Sequence, residues 1–262
     1  MNRRDENVEA PKCPGPIPLP AEEVGPCMAA IRAAVMRNVA DVGLPPGARV
    51  LDAPCGSGQL ATALAQAGFE SWGADIDVVA QKVLGDRFQR VDLNGALPWP
   101  SASFDAVCSV EGIEHLENHF AFLREVHRVL RPGGALVLTT PNVVSLRSRV
   151  RFLGSGFFHK DPRPLDESAR DPLHHIGLRT FPEFRYALHT SGFRVSAVTH
   201  THVKPVSYLY AIFVPWMWLY TRMAFRKEKR PAQRERNREI RRALFSRSLL
   251  FGENLLLVAR KV

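Results

Sequence analysis

The residues best suited to chemistry form a recurring series of glycines and acids. Val50-Leu51-Asp52-Ala53-Pro54-Cys55-Gly56-Ser57-Gly58 reads as a strand that runs into a glycine-rich turn and then a helix. Glycines let a ligand approach the backbone closely, and the helix start that follows offers unpaired N–H groups. Gly56-x-Gly58-x-x-Ala61 also fits a dinucleotide fingerprint, with Asp75 nineteen residues beyond the first glycine. Asp52 argues against a pyrophosphate at this loop, because like charges repel. A ligand carrying an ammonium and a sulfonium suits it better. Asp75 ends a second strand, where a carboxylate can accept both hydroxyls of a ribose. Asp92 follows a third, where an acceptor could meet the exocyclic amino group of a base. Each acid alone could be a helix N-cap or a surface charge, but here three successive strands end in one.

The elements that must position these residues are legible from periodicity. An amphipathic helix spans Met28–Val42, with Ile31, Val35, Val39 and Val42 at helical spacing. Strands and helices then alternate: strand Arg49–Asp52, helix Gln59–Ala67, strand Glu70–Asp75, helix Val78–Leu84, strand Gln89–Asp92, strand Phe104–Val110, helix His119–Leu130 and strand Ala135–Thr140, with Arg131–Gly134 closing the last helix. This rhythm predicts a doubly wound α/β fold, a mostly parallel sheet with helices on both faces and ligands beyond the carboxyl ends of its strands. After Asn142 the rhythm breaks. Ser145–Leu153 carries Arg147, Arg149 and Arg151, and a loop runs to about Gly177. Helix Pro182–Ser191, strand Arg194–Thr199 and strand Asn254–Ala259 resume the core pattern. Residues 26–262 thus read as a single domain with a cofactor-binding core at 48–142. Residues 143–177 and 204–247 read as insertions that form a lid or docking surface.

Taken together, the motifs resemble the class I S-adenosylmethionine-dependent methyltransferases over roughly Ala48 to Asn142. LDAPCGSG is similar to that family's first motif and GADID to its second-strand acidic motif. RVDLNGALPWPSASFDAVCSVEGIEHL is similar to the third- and fourth-strand motifs, and LREVHRVLRPGGALVLTTPN to the helix and fifth strand of a branch that methylates quinones, lipids and sugars. Pro54 departs from the pattern, standing where the family usually has the first glycine and removing a backbone N–H. The resemblance implies a seven-stranded Rossmann-like sheet and S-adenosylmethionine as cofactor. Asp52, Ala53, Gly56 and Gly58 would lie near its methionine part, and Asp75 and Ile76 near the ribose. Asp92 and Leu93 would border the adenine, and Val110 and Glu111 would face the bound methionine and the acceptor.

The reaction so implied is an in-line methyl transfer from a sulfonium, in which positioning is the protein's main task. A hydroxyl acceptor would need a general base. His115 is the first candidate, because histidine titrates near neutral pH; its alternative role is hydrogen bonding to loop backbone. Glu111 and Glu114 divide in the same way between substrate contact and loop support. His174-His175-Ile176 is similar to a stretch in methyltransferases of bacterial cell-envelope gene clusters, which makes His174 or His175 a second candidate at the acceptor, with a structural role as the alternative. No metal site is expected, since Cys13, Cys27, Cys55 and Cys108 show no CxxC pair and no His/Cys ligand spacing. The readings from other classes are a nicotinamide oxidoreductase and a non-catalytic S-adenosylmethionine-binding adaptor at a membrane surface.

Composition sets the outer bounds. The chain has 262 residues, 45% of them hydrophobic, enough for a sizeable core. The first 25 residues, with six prolines or glycines from Pro11 to Pro20 and no apolar signal segment, read as a flexible lead-in of a cytoplasmic protein. The net charge is +9, and Arg222–Arg242 alone holds ten Lys/Arg against three Glu. Just before it, PVSYLYAIFVPWMWLYT is uncharged, short for a membrane span and interrupted by Pro215. Its aromatic residues are of the types that favour a membrane interface. Two readings of 205–242 stand side by side. One is an element lying on an anionic membrane surface, at its inner face. The other is a cap buried over the acceptor pocket or in a homodimer. Nucleic acid is not expected, because the 226–242 block lacks interleaved aromatics. The acceptor is expected to be a small molecule or lipid-linked.

Overall fold

In the computed structural model, residues 26–158, 163–168 and 173–262 are described. The lead-in over 1–25 and parts of the 143–177 insertion lie outside them. Seven strands form one sheet: β1 (Arg49–Asp52), β2 (Glu70–Asp75), β3 (Phe88–Arg90), β4 (Phe104–Val110), β5 (Leu130–Pro141), β6 (Phe193–His200) and β7 (Asn254–Lys261). Their spatial order is β3-β2-β1-β4-β5-β7-β6. β7 runs antiparallel to both β5 and β6, and the other pairings are parallel. The sheet is the doubly wound, mostly parallel one expected.

Strand alternation sorts the apolar residues into two layers. Val50, Ala106, Cys108, Val137, Leu256 and Val258 pack against α1 (Pro26–Val42) and α2 (Gln59–Gln66). Their neighbours Leu51, Val107, Leu136, Leu138, Leu255 and Leu257 form the opposite layer with α4 (His119–Val129) and α6 (Phe181–Thr190). Near-continuous apolar strands are what two covered faces require.

Several element boundaries differ from the sequence expectation, and three of the differences have a visible local cause. The helix expected over Val78–Leu84 is confined to α3 (Gln81–Leu84). The Asp75 carboxylate accepts from the Asp77 N–H at 3.0 Å and that of Asp77 from the Val78 N–H at 2.7 Å, which holds this segment in a turn. The third strand stops at Arg90 rather than Asp92, because the Asp92 carboxylate accepts from the Asn94 N–H at 2.9 Å and starts a turn. β5 begins at Leu130, not Ala135. Arg131–Gly134 forms an irregularity within the strand, where a Cβ on Gly134 would stand 2.9 Å from the Arg131 carbonyl.

The first insertion supplies α5 (Leu146–Ser155); the C-terminal one is built from a 3₁₀ segment Pro205–Phe213, α7 (Val214–Arg226) and α8 (Pro231–Leu244), with α9 (Arg247–Phe251) leading back to β7. No residue of α7 or α8 is buried. Leu209 and Ile212 are 76% and 78% exposed, which rules out the reading of 205–221 as a cap buried in the chain's own core. No described helix is long and apolar enough to cross a membrane.

Candidate functional site

β1 pairs with β2 on one side and β4 on the other, so the strand order reverses between β1 and β4. At such a switch point the loops leaving the two strands part and open a crevice. The glycine loop leaves β1 there, and Glu111–His115 leaves β4.

Backbone bonds fix the glycine loop before any side chain is considered. The Ala53 N–H donates to Cys108 O at 2.9 Å, Cys55 N–H to Ala74 O at 3.0 Å, and Gly58 N–H to Cys55 O at 2.8 Å. Gly56 and Gly58 have φ of 51° and 83°, a region other residues enter only with strain. Asp75, nearly buried, accepts from the Gly56 N–H at 2.8 Å through one carboxylate oxygen and from Asp77 through the other. It ties the β1 loop to the end of β2, and each oxygen retains a lone pair for a ligand hydroxyl. Ile76 beside it is 49% exposed, an apolar wall on the rim of the crevice. Pro54 fits because Gly112 faces it: a Cβ on Gly112 would lie 2.2 Å from the proline ring.

Asp52 differs from the other acids. It is 1% exposed, and neither carboxylate oxygen has a hydrogen-bond partner among the described residues. Burial raises its carboxyl well above the ordinary range; the nearby Ala61 N–H, which makes no hydrogen bond of ordinary geometry to it, pulls the other way, and the Asp75 carboxylate adds to the rise. A buried anion in this state is costly unless a cation meets it. Burial, with Asp52 and Asp75 adding, also pushes the Cys55 thiol up, which removes it as a thiolate nucleophile.

Of the residues expected near the adenine, Asp92 is exposed at the turn after β3, while the Leu93 side chain is 6% exposed and belongs to the main core. The Ala53 side chain is fully buried. Val110 is half-buried at the end of β4.

After β4 the chain turns sharply. Glu111 takes φ 46°. Its carboxylate accepts from Thr139 Oγ1 at 2.8 Å and from Asn254 Nδ2, which pins the turn to β5 and β7. Glu111 thereby supports the loop. The fully buried Glu114 accepts from Thr140 Oγ1 at 3.1 Å. His115, half-buried, directs Nδ1 at the His174 carbonyl at 3.1 Å, and its ring lies 4.9 Å from that of His175. A carbonyl only accepts, so Nδ1 is the donor in this contact, and in the neutral ring the lone pair then lies on Nε2.

The segment that brings His175 here is itself tethered. Gly177 N–H donates to Glu114 O at 2.8 Å, and Arg179 Nε to His119 Nδ1 at 2.5 Å. A Cβ on Gly177 would stand 2.3 Å from His119 Nε2. The ligand-capable atoms of Glu114, His115 and His175 all lie within 4.8 Å of one another, a set that could hold a divalent metal. Residue spacing predicted no such cluster, since His175 lies 60 positions beyond His115. Thr139 and Thr140 lay within the fifth-strand motif with no role assigned and Asn254 carried no signal, while Gly177, directly after the His-His-Ile stretch, carried a faint one.

A methyltransferase-domain family matches residues 28–198, which include the whole switch-point crevice. The chain belongs to this family. Family membership sets aside the nicotinamide reading and implies S-adenosylmethionine as cofactor, and the orphaned Asp52 carboxylate fits the ammonium of that molecule. A protein of Mycolicibacterium smegmatis named a probable S-adenosylmethionine-dependent methyltransferase is 38% identical over 103 residues, 38% of this chain and 40% of its own length. A ubiquinone biosynthesis O-methyltransferase of Xanthomonas campestris is 38% identical over 109 residues, 37% of this chain and 44% of its own. The matched stretch thus spans less than half the length of these curated relatives. The structure of an S-adenosylmethionine-dependent methyltransferase from Archaeoglobus fulgidus aligns at a TM-score of 0.54 and 19% identity, over 90% of this chain and 95% of that one, a likeness of fold.

Proposed function

We propose that the chain catalyses S-adenosylmethionine-dependent methylation of an oxygen on a quinone-like, saccharide or lipid-linked acceptor, with Nε2 of His115 as the general base and His175 beside it. When bound, S-adenosylmethionine supplies an electrophilic methyl group on a sulfonium. Asp52 holds the charge opposite its ammonium, while Asp75 both orders the glycine loop and offers acceptors to the ribose. The observation that carries the reading is the orientation of His115: the His174 carbonyl engages Nδ1 and leaves Nε2 as the nitrogen that, in the neutral ring, can take a hydroxyl proton as the methyl group arrives. The name of the Xanthomonas relative, an O-methyltransferase of ubiquinone biosynthesis, supports oxygen as the atom and a quinone-like ring as one acceptor class.

Calorimetric titration with S-adenosylmethionine and, separately, with NAD tests the cofactor. Turnover of labelled S-adenosylmethionine against a panel of quinols and saccharides tests the acceptor. His115→Ala should then lower turnover by about 10²–10⁴-fold, the range for a positioned base, and leave cofactor affinity unchanged. Turnover within a few-fold of the parent would refute the base assignment.

One specific observation favours a second reading, in which Glu114, His115 and His175 bind a divalent metal that polarises the acceptor hydroxyl. Two histidines and a carboxylate form a donor set known from catalytic zinc sites, with a position left open for substrate. Loss of turnover on chelation, restored by zinc or by cobalt with a tetrahedral cobalt absorption band, would select this reading. Chelator-resistant turnover would select the metal-free base.

A further inference from the structure

We propose that the face formed by α7 and α8 docks on an anionic phospholipid leaflet, with the α7 stripe entering the interface and an arginine-lined groove taking lipid phosphates. This inference does not depend on the identity of the acceptor.

Trp216, Leu219, Tyr220 and Met223 fall at helical positions i, i+3, i+4 and i+7, one continuous stripe of α7. In a folded chain such a stripe normally faces the core, yet these four are 65%, 51%, 63% and 52% exposed. The preceding 3₁₀ segment extends the apolar surface with Leu209 and Ile212. Soluble monomers rarely leave so large an apolar surface uncovered.

On the flank of the same helix, α7 and α8 line a groove of about 370 Å³ that includes Arg222, Arg226, Arg234, Arg238 and Arg241. The acids nearby are committed. Glu235 pairs with Arg238, Glu228 with Arg230 outside the groove, and Glu239 with Arg185 on α6. Five guanidinium groups around one groove with a single paired carboxylate are a ready site for phosphate, which arginine binds through parallel N–H donors.

An occupant must therefore be apolar and anionic at adjacent positions. A bilayer of anionic lipid offers both, and Trp216 and Tyr220 are residue types that settle at its interface. A second copy of the chain would bring the same positive face to this one, which repels. RNA would answer the arginines but leave Leu209, Ile212, Leu219 and Met223 without a partner. Since no described helix can span a bilayer, the element lies on the surface. Its placement also suits the crevice. Arg149 of α5 reaches Val144 O at 2.6 Å and Met217 Sδ at 3.9 Å, which anchors α7 beside the carboxyl end of β5. α7 is thus held at the end of the sheet from which the site loops leave.

Flotation of the full chain with phosphatidylcholine vesicles, with and without phosphatidylglycerol, tests the proposal. The protein should float with the anionic vesicles, release as salt rises, and stay behind with the neutral ones. Arg234→Gln/Arg238→Gln/Arg241→Gln and, separately, Trp216→Ser/Leu219→Ser should each weaken vesicle binding by about tenfold or more, given the pull of each basic residue and the buried apolar area. All five positions lie on helices with no buried residue, and unchanged circular dichroism will show that both variants fold. Absence of binding to anionic vesicles would overturn the proposal, as would full binding by either variant. So would a dimer that the Trp216/Leu219 variant dissolves in place of vesicle binding, retention on RNA instead of vesicles, or binding of inorganic phosphate alone.

Discussion

The crevice between β1 and β4 and the α7–α8 face are held by opposite means. In the crevice, the loops are set by short backbone bonds and by residues with no room to change: Gly112 against Pro54, Gly177 against His119, Asp75 across to Gly56. The α7–α8 element buries no residue and is tied to the rest by a few side chains, among them Arg149 and the Arg185–Glu239 pair. A site that must hold reactants in line needs the first kind of construction. A surface that meets a deformable partner does well with the second, because its apolar and charged groups stay available. The difference predicts that equal-sized changes will have very unequal consequences in the two regions.

The largest effect should follow Gly112→Ala. The added methyl would overlap the Pro54 ring at 2.2 Å, and both partners sit in fixed backbone. Overpacking of this kind costs about 1–3 kcal/mol and occasionally more, and this overlap belongs at the upper end. A denaturant titration reads the loss directly, and an unchanged midpoint would show that the crevice is softer than its contacts imply.

Asp52→Asn should split stability from binding. The neutral amide removes a buried, unpartnered carboxylate, so the ligand-free protein should gain at least about 1 kcal/mol at neutral pH. S-adenosylmethionine affinity should fall by about 1.5–3 kcal/mol, the scale for hydrogen bonds to a charged group. The pH dependence supplies the sign. Burial raises the folded-state pKa of Asp52, so the folded protein binds more protons than the unfolded chain, and this residue's contribution declines as pH climbs above about 4. Thermal melts of the ligand-free parent should show that decline more steeply than those of Asp52→Asn. Parallel curves would mean that a cation already neutralises Asp52.

What could be read from the sequence follows the same division. β1, β2 and β4 were expected at the bounds they have, as were Gly56, Gly58, Asp52 and Asp75, because a strand, a tight turn and a helix start are local matters written in adjacent residues. Three of the bounds that moved lie where side chains or glycines override propensity: Asp75 and Asp77 hold the turn before α3, Asp92 that after β3, and Gly134 lets β5 run through a proline-glycine stretch that ordinarily marks a loop. The sequence suggested histidines at the acceptor, but not the geometry that joins them. The His115–His174 bond spans 59 positions and the Glu111–Asn254 bond 143, distances over which no spacing rule operates. The uncharged run was ambiguous for a related reason. Composition describes an apolar helix face without saying what covers it, and only the exposure of Trp216 and its neighbours removed the chain's own core from the choices.

The smallest effect should come from Glu239→Ala, and its smallness is the informative part. The Arg185–Glu239 contact is short, 2.5 Å, but Glu239 is about half exposed and its charge is screened by solvent. Such pairs contribute about 0–1 kcal/mol, so the melting temperature should fall by no more than about 4 °C. The local consequence should be larger than the global one. With this tie to α6 gone and no buried side chain to replace it, amides of α8 should exchange hydrogen faster while those of β1 and β4 remain as protected as before. Uniform acceleration across the sheet would instead make α8 part of the cooperative core, and the contrast between a rigid crevice and a loosely tethered face would fail.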